Sequence, residues 1–565
     1  MRKISRRSFL FGAGGAAALL GSAAVLSGTG TALAEEKAAS ELGDSTVSDD
    51  VTDVAAPYLE LPNQPIAPLS EPENWDDETD IVVVGTGGGL AGAAYAADAG
   101  MNVVVLEKCP HIAGASKEAS VWVVSGSNPQ LDLGLPDITQ PMLQGAVANL
   151  QNDRYNADLF ANTTETAKAM VNWMVDKGFA WQPTTVLGGV KPVGVVPAGS
   201  EEGMMTARAV MGIYEFLREQ FEAMGGDLRL NTKLTGLVTN SSGDVVGVRA
   251  ADPVGAETYI KAKCGVLLAT GGMGSNRAML KKYIPTCAAT CKFSTTGTQD
   301  SGEGILMGLG AGARFAGFNN YDRFDGGING VDWNTYMYLS AVQISRQPWL
   351  GFSADGVRYP YQTGSSEAYT KAADTLAALP GHQGYVIFDS TYEDLGDTFK
   401  QGMCRYLIDA DTMPDEGRVP EALVNPHWKD GVREAVDNGL IAKGDTIADV
   451  AKALGLDEDI VQDVVNEWNA ACDAGEDPAG LMPTDYLHPL ATPPYYGMAV
   501  GALTFATHAG LAVNENAQVI NEAGKPIKGL YASGCTIGIP SEGANGSCAF
   551  AAGTAALACK SMIEA

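Results

Sequence analysis

The sequence has few basic residues for its length. Its 565 residues include 37 lysines and arginines against 67 aspartates and glutamates, a formal net charge of −30. Binding to nucleic acid or to an anionic membrane surface requires positive charge that neutralises phosphates, which this chain lacks. We therefore exclude nucleic acid as a partner. The acidity serves solubility, or the docking of a basic electron-donor protein.

Cysteine and histidine patterns typical of bound metals are also missing. The closest pair of the nine cysteines, Cys287 and Cys291, lacks the histidine of a haem-attachment motif. No cysteine series fits an iron–sulfur cluster, and the five histidines show no metal-ligand spacing. We therefore predict no metal, haem or cluster in this chain, so that electrons would have to come from a separate donor.

The N-terminal segment lacks an apolar run long enough to span a bilayer. Arg6 and Arg7 form a twin-arginine pair, followed by a glycine-broken apolar run and by Ala-Leu-Ala ending at Ala34. A span needs about 20 apolar residues. We therefore predict a cleaved twin-arginine signal peptide over 1–34 and a location in the periplasm or on the outer face of the cytoplasmic membrane. Cleavage removes four basic residues and no acid, which gives −30 − 4 = −34.

Glycine, in contrast, is concentrated at 85–89, within "DIVVVGTGGGLAGAAYAADAGMNVVVLEK". A strand, a glycine turn, a small-residue helix and a second strand indicate a βαβ dinucleotide site. The motif can begin at Gly85 or at Gly87, and the end of the apolar strand favours Gly85. Glu107, 22 residues further on, is placed to bind a ribose hydroxyl. The motif by itself does not separate NAD from FAD.

Several further motifs make the chain similar to a known family. The runs "VVVLEKCPHIAGAS", "LLATGGMGSN", "PPYYGM" and "GLYASGCTIG" occur in the family's order over about 79–565. The chain resembles the fumarate reductase and succinate dehydrogenase flavoproteins, which include the ketosteroid dehydrogenases and many exported reductases. The resemblance implies FAD as the cofactor, and an α/β fold in which a split Rossmann-like FAD-binding domain carries an inserted α+β capping domain.

We divide the chain accordingly. An acidic, proline-rich linker follows the signal peptide. The predicted divisions are a signal peptide at 1–34, a linker at 35–78, an FAD-binding domain at 79–317 plus 501–565, and a capping or substrate domain at 318–500.

The resemblance also implies a set of FAD contacts. Where the family has Ala-Gly-Glu at the ribityl chain, this chain has Ser533, Gly534 and Cys535, which leaves Glu542 as the alternative carboxylate. The implied contacts are Gly85, Gly87, Gly88 and Gly89 at the pyrophosphate, Glu107 and Lys108 at the ribose, Ala115 and Ser116 near the phosphates and flavin, Val238 at the adenine, Thr270 and Gly271 beside the cofactor, and Gly534 at the ribityl chain.

The active-site positions depart from those of fumarate reductases. The proton-relay run keeps Arg346, but Gln343 stands where that family has glutamate. A dicarboxylate buried without charged partners would face several kcal/mol of uncompensated desolvation. We therefore expect fumarate and succinate not to be substrates. The positions of the family's charged substrate-binding residues hold Ser366, Phe505, Ala506 and Gly546.

Aromatic residues are numerous in the predicted cap. As a set they predict a larger, flatter and less charged substrate, although ordinary packing explains any single one. Tyr495 or Tyr496, at a position similar to the carbonyl-polarising tyrosine of ketosteroid dehydrogenases, and Arg346 are candidates to polarise a carbonyl. Tyr369 or His508 is the candidate proton source. The aromatic set is Tyr321, Trp333, Tyr336, Tyr338, Trp349, Tyr359, Tyr361, Tyr369, Tyr495 and Tyr496.

These features predict an exported FAD-dependent oxidoreductase that reduces a C=C bond conjugated to a carbonyl in a non-dicarboxylate, aromatic or polycyclic substrate. Two alternatives stay open: ketosteroid-type desaturation, and a flavin electron-transfer subunit without an organic substrate of its own. The expected partners are a small organic substrate and a cytochrome or membrane-linked redox protein as electron donor. We expect no stable membrane span after signal cleavage.

Overall fold

A computed structural model describes most of the chain beyond residue 60. The described ranges are 61–118, 122–140, 157–185, 192–198, 207–296, 299–335, 340–361, 366–395, 428–539 and 548–565. The predicted signal peptide and most of the predicted linker lie outside these ranges. Within them, no helix is long and apolar enough to cross a bilayer.

Nineteen strands occur in the described ranges. They are β1 (Leu69–Ser70), β2 (Asp77–Val84), β3 (Val103–Leu106), β4 (Trp181–Thr185), β5 (Pro192–Pro197), β6 (Asp227–Arg229), β7 (Lys233–Thr239), β8 (Val245–Ala251), β9 (Glu257–Leu268), β10 (Cys291–Ser294), β11 (Phe315–Ala316), β12 (Tyr321–Ile328), β13 (Leu350–Phe352), β14 (Gly384–Asp389), β15 (Ala442–Gly444), β16 (Tyr495–Thr507), β17 (Gly510–Leu511), β18 (Gln518–Ile520) and β19 (Pro526–Ala532).

The same ranges contain fourteen α-helices and several short 3-10 helices, among them Gly114–Glu118 and Gly534–Thr536. The α-helices are α1 (Gly88–Asp98), α2 (Asn128–Leu131), α3 (Ala157–Asp176), α4 (Ala207–Ala223), α5 (Arg277–Tyr283), α6 (Pro285–Thr290), α7 (Glu303–Gly310), α8 (Ser340–Ser345), α9 (Ser366–Ala378), α10 (Tyr392–Leu395), α11 (Trp428–Asp437), α12 (Ile447–Leu454), α13 (Glu458–Ala474) and α14 (Cys548–Glu564).

The large sheet has nine strands around a parallel centre. β6, β3, β2 and β9 lie side by side, and β19 pairs with the C-terminal end of β9. The central strand β2 ends in four buried apolar residues, Ile81–Val84, because helices cover both faces of such a sheet. The order strand, glycine turn, helix and strand in 77–106 is the βαβ unit predicted from the sequence.

A second sheet of six strands is formed within the interval between β9 and β19. β10, β12, β14 and β15 all pair with the long strand β16, and β13 pairs with β14. Helices α11 to α13 and two apolar clusters cover this sheet. The large sheet is therefore completed by β19 only after the second lobe has been formed. This confirms the predicted α/β class, a split Rossmann-like domain with an inserted α+β lobe.

The domain limits remain a prediction, and two elements bear on them. β10 belongs to the second sheet, although it precedes residue 317, and β16 runs across residue 500. The described end of the predicted linker is attached to the large sheet, because β1 pairs with β7 and the Ile66 N–H donates to the Leu306 carbonyl at 2.9 Å.

Candidate active site

The tight turn after β2 lies at Gly85. Its φ is +101°, and a Cβ atom there would lie 2.2 Å from the Ala269 carbonyl oxygen, so that any side chain would collide with the neighbouring strand end. Both observations require glycine. The turn therefore falls in the register that begins at Gly85.

The next glycines bring other elements close to the start of α1. A Cβ atom on Gly87 would lie 2.8 Å from Ser116 Oγ, and one on Gly89 would lie 2.8 Å from Ala269 Cβ. Gly87 is therefore next to the 3-10 helix that carries Ala115 and Ser116, and Gly89 lies against the sheet. The structure brings these predicted cofactor residues together.

Two glycines of α1 face the C-terminal helix α14. A Cβ atom on Gly88 would lie 2.4 Å from the Ala551 carbonyl carbon, and one on Gly92 would lie 2.7 Å from the Ala555 carbonyl oxygen. The neighbouring atoms are backbone and cannot rotate away. Glycine at both positions therefore permits α1 and α14 to approach closely. Gly88 has this role in addition to its predicted pyrophosphate contact.

Glu107 lies directly after β3, beside the glycine turn. Its buried carboxylate accepts hydrogen bonds from the Thr86 N–H (3.1 Å), the Thr86 hydroxyl (2.6 Å) and the Cys109 N–H (2.9 Å). These three donors fix the acid at the carboxyl edge of the parallel strands, where a dinucleotide ribose binds in this type of fold.

Lys108 points to a different group, Glu303 at the start of α7. Its Nζ donates to Glu303 Oε2 at 2.8 Å and to Ser301 Oγ at 2.8 Å, and Lys233 contacts Glu303 Oε1 at 2.6 Å. Burial raises the pKa of Glu303, but the charge and hydrogen bonds of Lys108 and the bonds of Lys233 and Ser301 outweigh it and lower the pKa to about 2. The ribose contact predicted for Lys108 competes with this ion pair.

Two turns predicted to lie beside the cofactor are joined by one threonine. The Thr270 N–H donates to Thr536 Oγ1 at 2.9 Å, and the Thr536 hydroxyl donates to the Gly271 carbonyl at 3.2 Å. Gly534, at φ +59°, donates its N–H to Thr554 of α14 at 3.2 Å. The end of β9 and the end of β19 therefore form one wall of the candidate site.

Asp300 is a buried acid at this wall that the sequence analysis did not identify. A Cβ atom on Gly271 would lie 2.4 Å from Asp300 Oδ1. Burial raises the pKa of Asp300 to about 7, although Lys108 and the Gly272 N–H oppose the shift. No spacing rule marks this aspartate, which becomes notable only because the fold buries it.

His508 follows β16 at the junction of the two lobes and is 1% exposed. Its Nε2 lies 2.8 Å from Asp322 Oδ2 on β12. Burial lowers the pKa of His508, but the charge and hydrogen bond of Asp322, with a contribution from the nearby Cys535 thiol, raise it well above its usual value. Asp322 was not among the predicted site residues.

Arg346 follows α8 and is 4% exposed. Its Nη2 lies 3.2 Å from Asp325 Oδ1, and burial raises the pKa of Asp325 despite this partner. Asp325 lies three positions after Asp322 on β12, so that the two ion pairs are roughly 10 Å apart along the strand. Arg346 and His508 therefore both pair with aspartates of β12.

Arg346 also lines a small cavity together with part of the predicted aromatic set. The volume is about 40 Å³, which has room for a few water molecules or a single carbonyl group but not for a ring system. Aromatic walls around a buried guanidinium favour a conjugated group over a hydrated dicarboxylate. The aromatic residues that line it are Trp349, Tyr359 and Tyr361.

Tyr495 and Tyr496 lie at the opposite end of β16 from Thr507. Eleven residues of extended strand separate Tyr496 from Thr507, about 36 Å. Tyr496 packs in the second lobe, stacked on Phe388 with ring centroids 5.3 Å apart. β16 therefore separates these tyrosines from His508, whereas Tyr496 belongs to the same apolar cluster as Trp349, which lines the Arg346 cavity.

Of three further predicted site residues, one is buried within the large sheet and two lie partly or wholly outside the described residues. Val238 is fully buried in β7 between Leu69 of β1 and Gly247 of β8, which does not favour its predicted contact with an adenine. Tyr369 belongs to α9, but its side chain lies outside the described residues, and so does the whole of Glu542.

The wall suits a dinucleotide pyrophosphate. Helix α1 begins directly after the glycine turn, has no acid in its first turn, and no side chain caps its N-terminal N–H groups. Those N–H groups and the helix dipole favour a bound anion. Together with Glu107 and the turns at Gly271 and Gly534, they fit FAD.

Comparisons with known proteins agree with this assignment. A family profile described as "FAD binding domain" matches residues 80–551. The chain is 28% identical over 498 residues to urocanate reductase of Eggerthella lenta, covering 87% of this chain and 75% of that protein. It is 25% identical over 473 residues to vinyl phenol reductase of Lactiplantibacillus plantarum, covering 81% and 90%.

Among solved structures, the fold is similar to the open conformation of a flavocytochrome c3 fumarate reductase. The TM-score is 0.63 at 23% identity, and the match covers 87% of this chain and 79% of that one.

Proposed function

Since this chain belongs to the FAD binding domain family, we propose that it is an FAD-dependent reductase of a C=C bond conjugated to a carbonyl group. Its substrate is uncharged or singly charged and flat, an aromatic or polycyclic compound. The two curated relatives are named for urocanate and vinyl phenol, neither of which is a dicarboxylate. Both names support a C=C reductase with an aromatic substrate.

The observation that carries the substrate class is the apolar end of β16. Phe505 and Ala506 are half-buried and immediately precede Thr507, which accepts a hydrogen bond from the Met273 N–H beside the predicted cofactor turn. The Phe505 ring meets Phe324 edge-on at 5.4 Å. A dicarboxylate placed here would lose its hydration and meet only cations that are already paired, Arg346 with Asp325 and His508 with Asp322, whereas a flat ring would gain aromatic contacts.

When bound, reduced FAD supplies a hydride, which is transferred to the β-carbon while the α-carbon takes a proton. Arg346 is the residue that polarises the carbonyl. Its guanidinium is already desolvated and is oriented by Asp325, so that little reorganisation is needed when negative charge develops on the carbonyl oxygen. The cavity next to it has room for that group.

The proton source is Tyr369 or His508, and the ion pair with Asp322 argues against His508. Asp322 holds the proton of His508 through charge and a hydrogen bond, and a proton held in this way is released less readily. Helix α9, which carries Tyr369, packs against both β12 and β16.

The enzyme acts outside the cytoplasm after twin-arginine export and receives electrons from a cytochrome or a membrane-linked redox protein. Arg6 and Arg7 support the export, and the lack of haem and cluster motifs supports a separate donor. Cell fractionation of wild type and of an Arg6→Lys/Arg7→Lys variant tests the export, and co-purification under mild conditions tests the donor.

The substrate class is tested by anaerobic reoxidation of the dithionite-reduced enzyme with fumarate, urocanate, cinnamates and enone steroids. We expect fast reoxidation by at least one aromatic or polycyclic compound and none by fumarate. Turnover of fumarate alone would show that charged groups reach the site from elsewhere in the chain. Supplying an electron acceptor with saturated analogues tests the desaturating direction.

The role of Arg346 is tested with Arg346→Gln. Loss of one preorganised donor lowers kcat by about 10²–10³-fold. Arg433→Gln is the matched control, because Arg433 is 55% exposed in its ion pair with Glu393 in the same lobe. Equal rates for the two variants would remove Arg346 from the reaction.

A further inference from the structure

We propose that Asp322 and His508 form a buried charge pair in which the His508 imidazolium faces the FAD and raises its reduction potential. The inference rests on FAD binding in the proposed function, and it is independent of which substrate is reduced. Asp322 is the positioning residue of the pair.

Backbone hydrogen bonds fix the main chain of His508, and Asp322 fixes its ring. The His508 N–H donates to the Asn320 carbonyl at 3.0 Å, and its own carbonyl accepts from the Ile539 N–H at 3.0 Å. Nε2 contacts Asp322 Oδ2 at 2.8 Å, and the ring is 1% exposed. The ring is therefore fixed between β12 of the second lobe and the segment that follows β19.

The other ring nitrogen is the one available to a ligand. Within the described ranges, no hydrogen-bond partner of good geometry meets Nδ1. Cys535 lies close enough to the ring to affect it, and Cys535 belongs to the 3-10 helix Gly534–Thr536 that Thr536 joins to Gly271. A buried polar nitrogen without a partner is costly, and a cofactor along this wall would supply one.

The position of Asp322 determines which charge of the pair lies nearer to a bound cofactor. Asp322 lies on the Nε2 side of the ring, and we place the cofactor wall that carries Cys535 on the Nδ1 side. The Asp322 side chain is 23% exposed, so that solvent screens its charge better than it screens the buried imidazolium. A cofactor at the wall therefore experiences net positive charge.

The positive charge has a definite consequence for the cofactor. Two-electron reduction adds negative charge to the flavin ring system, and a cation fixed nearby in a buried site stabilises that form more than the oxidised form. The result is a higher midpoint potential, which favours electron uptake from the donor.

The experiment measures the midpoint potential of bound FAD by spectroscopic titration against reference dyes in the full-length holoenzyme. We expect His508→Gln and Asp322→Asn both to lower the potential, because the first removes the cation and the second removes the group that keeps it protonated. Asp374→Asn is the matched control: this aspartate pairs with Arg323 of the same strand but its side chain is 49% exposed, so that solvent screens its charge and the potential should stay at the wild-type value.

The FAD-to-protein absorbance ratio reports whether each variant is loaded. If His508→Gln fails to retain FAD, the isosteric Asp322→Asn variant decides the result. Potentials of the loaded variants equal to wild type, or an equal shift in Asp374→Asn, would overturn the inference. Because no organic substrate is present, such an outcome would leave the proposed reduction of conjugated C=C bonds standing.

Discussion

Replacing Gly92 by alanine tests the helix contact on which the cofactor domain depends. Alanine is favoured over glycine inside a helix by about 1 kcal/mol. A Cβ atom on Gly92, however, would lie 2.7 Å from the Ala555 carbonyl oxygen and 2.8 Å from its carbonyl carbon. Forcing a methyl group into a packed site costs about 1–3 kcal/mol. We expect Gly92→Ala to be net destabilising, by up to about 2 kcal/mol.

Gly212→Ala is the matched control, because Gly212 also lies within a helix, α4. Among the residues that the structure describes, no heavy atom would lie within 4 Å of a Cβ atom there. The helix preference of alanine then acts unopposed, and we expect this variant to be equally stable or more stable by up to about 1 kcal/mol. The two variants should thus differ by the packing cost alone, about 1–3 kcal/mol, although the chemical change is identical.

The measurement is thermal unfolding of the FAD-loaded protein, followed by flavin release and by tryptophan fluorescence. One kcal/mol corresponds to about 2–4 °C for a domain of 150–250 residues. We expect Gly92→Ala to melt several degrees below Gly212→Ala and to release flavin earlier. If Gly92→Ala melts at or above the temperature of Gly212→Ala, the close contact between α1 and α14 is incorrect.

Three further predictions follow from individual carboxylates. The pKa of Glu303 is lowered from 4.5 to about 2, so its contribution to stability is complete above about pH 4.5 and is lost as the pH falls towards 2. Glu303→Gln should therefore be destabilising at pH 7 and progressively less so at lower pH in acid-unfolding titrations. Asp477→Ala removes the partner of Arg358, whose side chain is 10% exposed, and should lower the free energy of unfolding, measured with denaturant, by about 3–5 kcal/mol. Removing Asp430, which belongs to an exposed ion pair, should lower it by less. Glu107→Gln leaves one acceptor oxygen for three donors, and FAD titration of the apoprotein should show about 10–100-fold weaker binding. An unchanged Kd would show that Glu107 does not take part in FAD binding.

Family membership, fold class, FAD and the enzyme class were all predicted from the sequence and are confirmed. The βαβ unit follows from local patterns: an apolar strand, a glycine that must take a positive φ, and an acid at the end of the next strand. FAD and the enzyme class followed instead from the resemblance of several ordered motifs to a known family. Gly85 and Glu107 could therefore be identified by spacing. The individual site contacts, the domain limits, the export route and the substrate class remain predictions.

What only the tertiary structure decided concerns residues far apart in the chain. Spacing along the sequence cannot show that Gly92 faces Ala555, or that Asp322 meets His508, because those contacts arise where separate elements cross. The same limit applies to Tyr496, because spacing cannot show that its ring stacks on Phe388 in the second lobe. The sequence by itself determined the local chemistry of the nucleotide turn, since backbone geometry restricts it to glycine, whereas burial and pairing of charges depend on packing and appeared only in the folded chain.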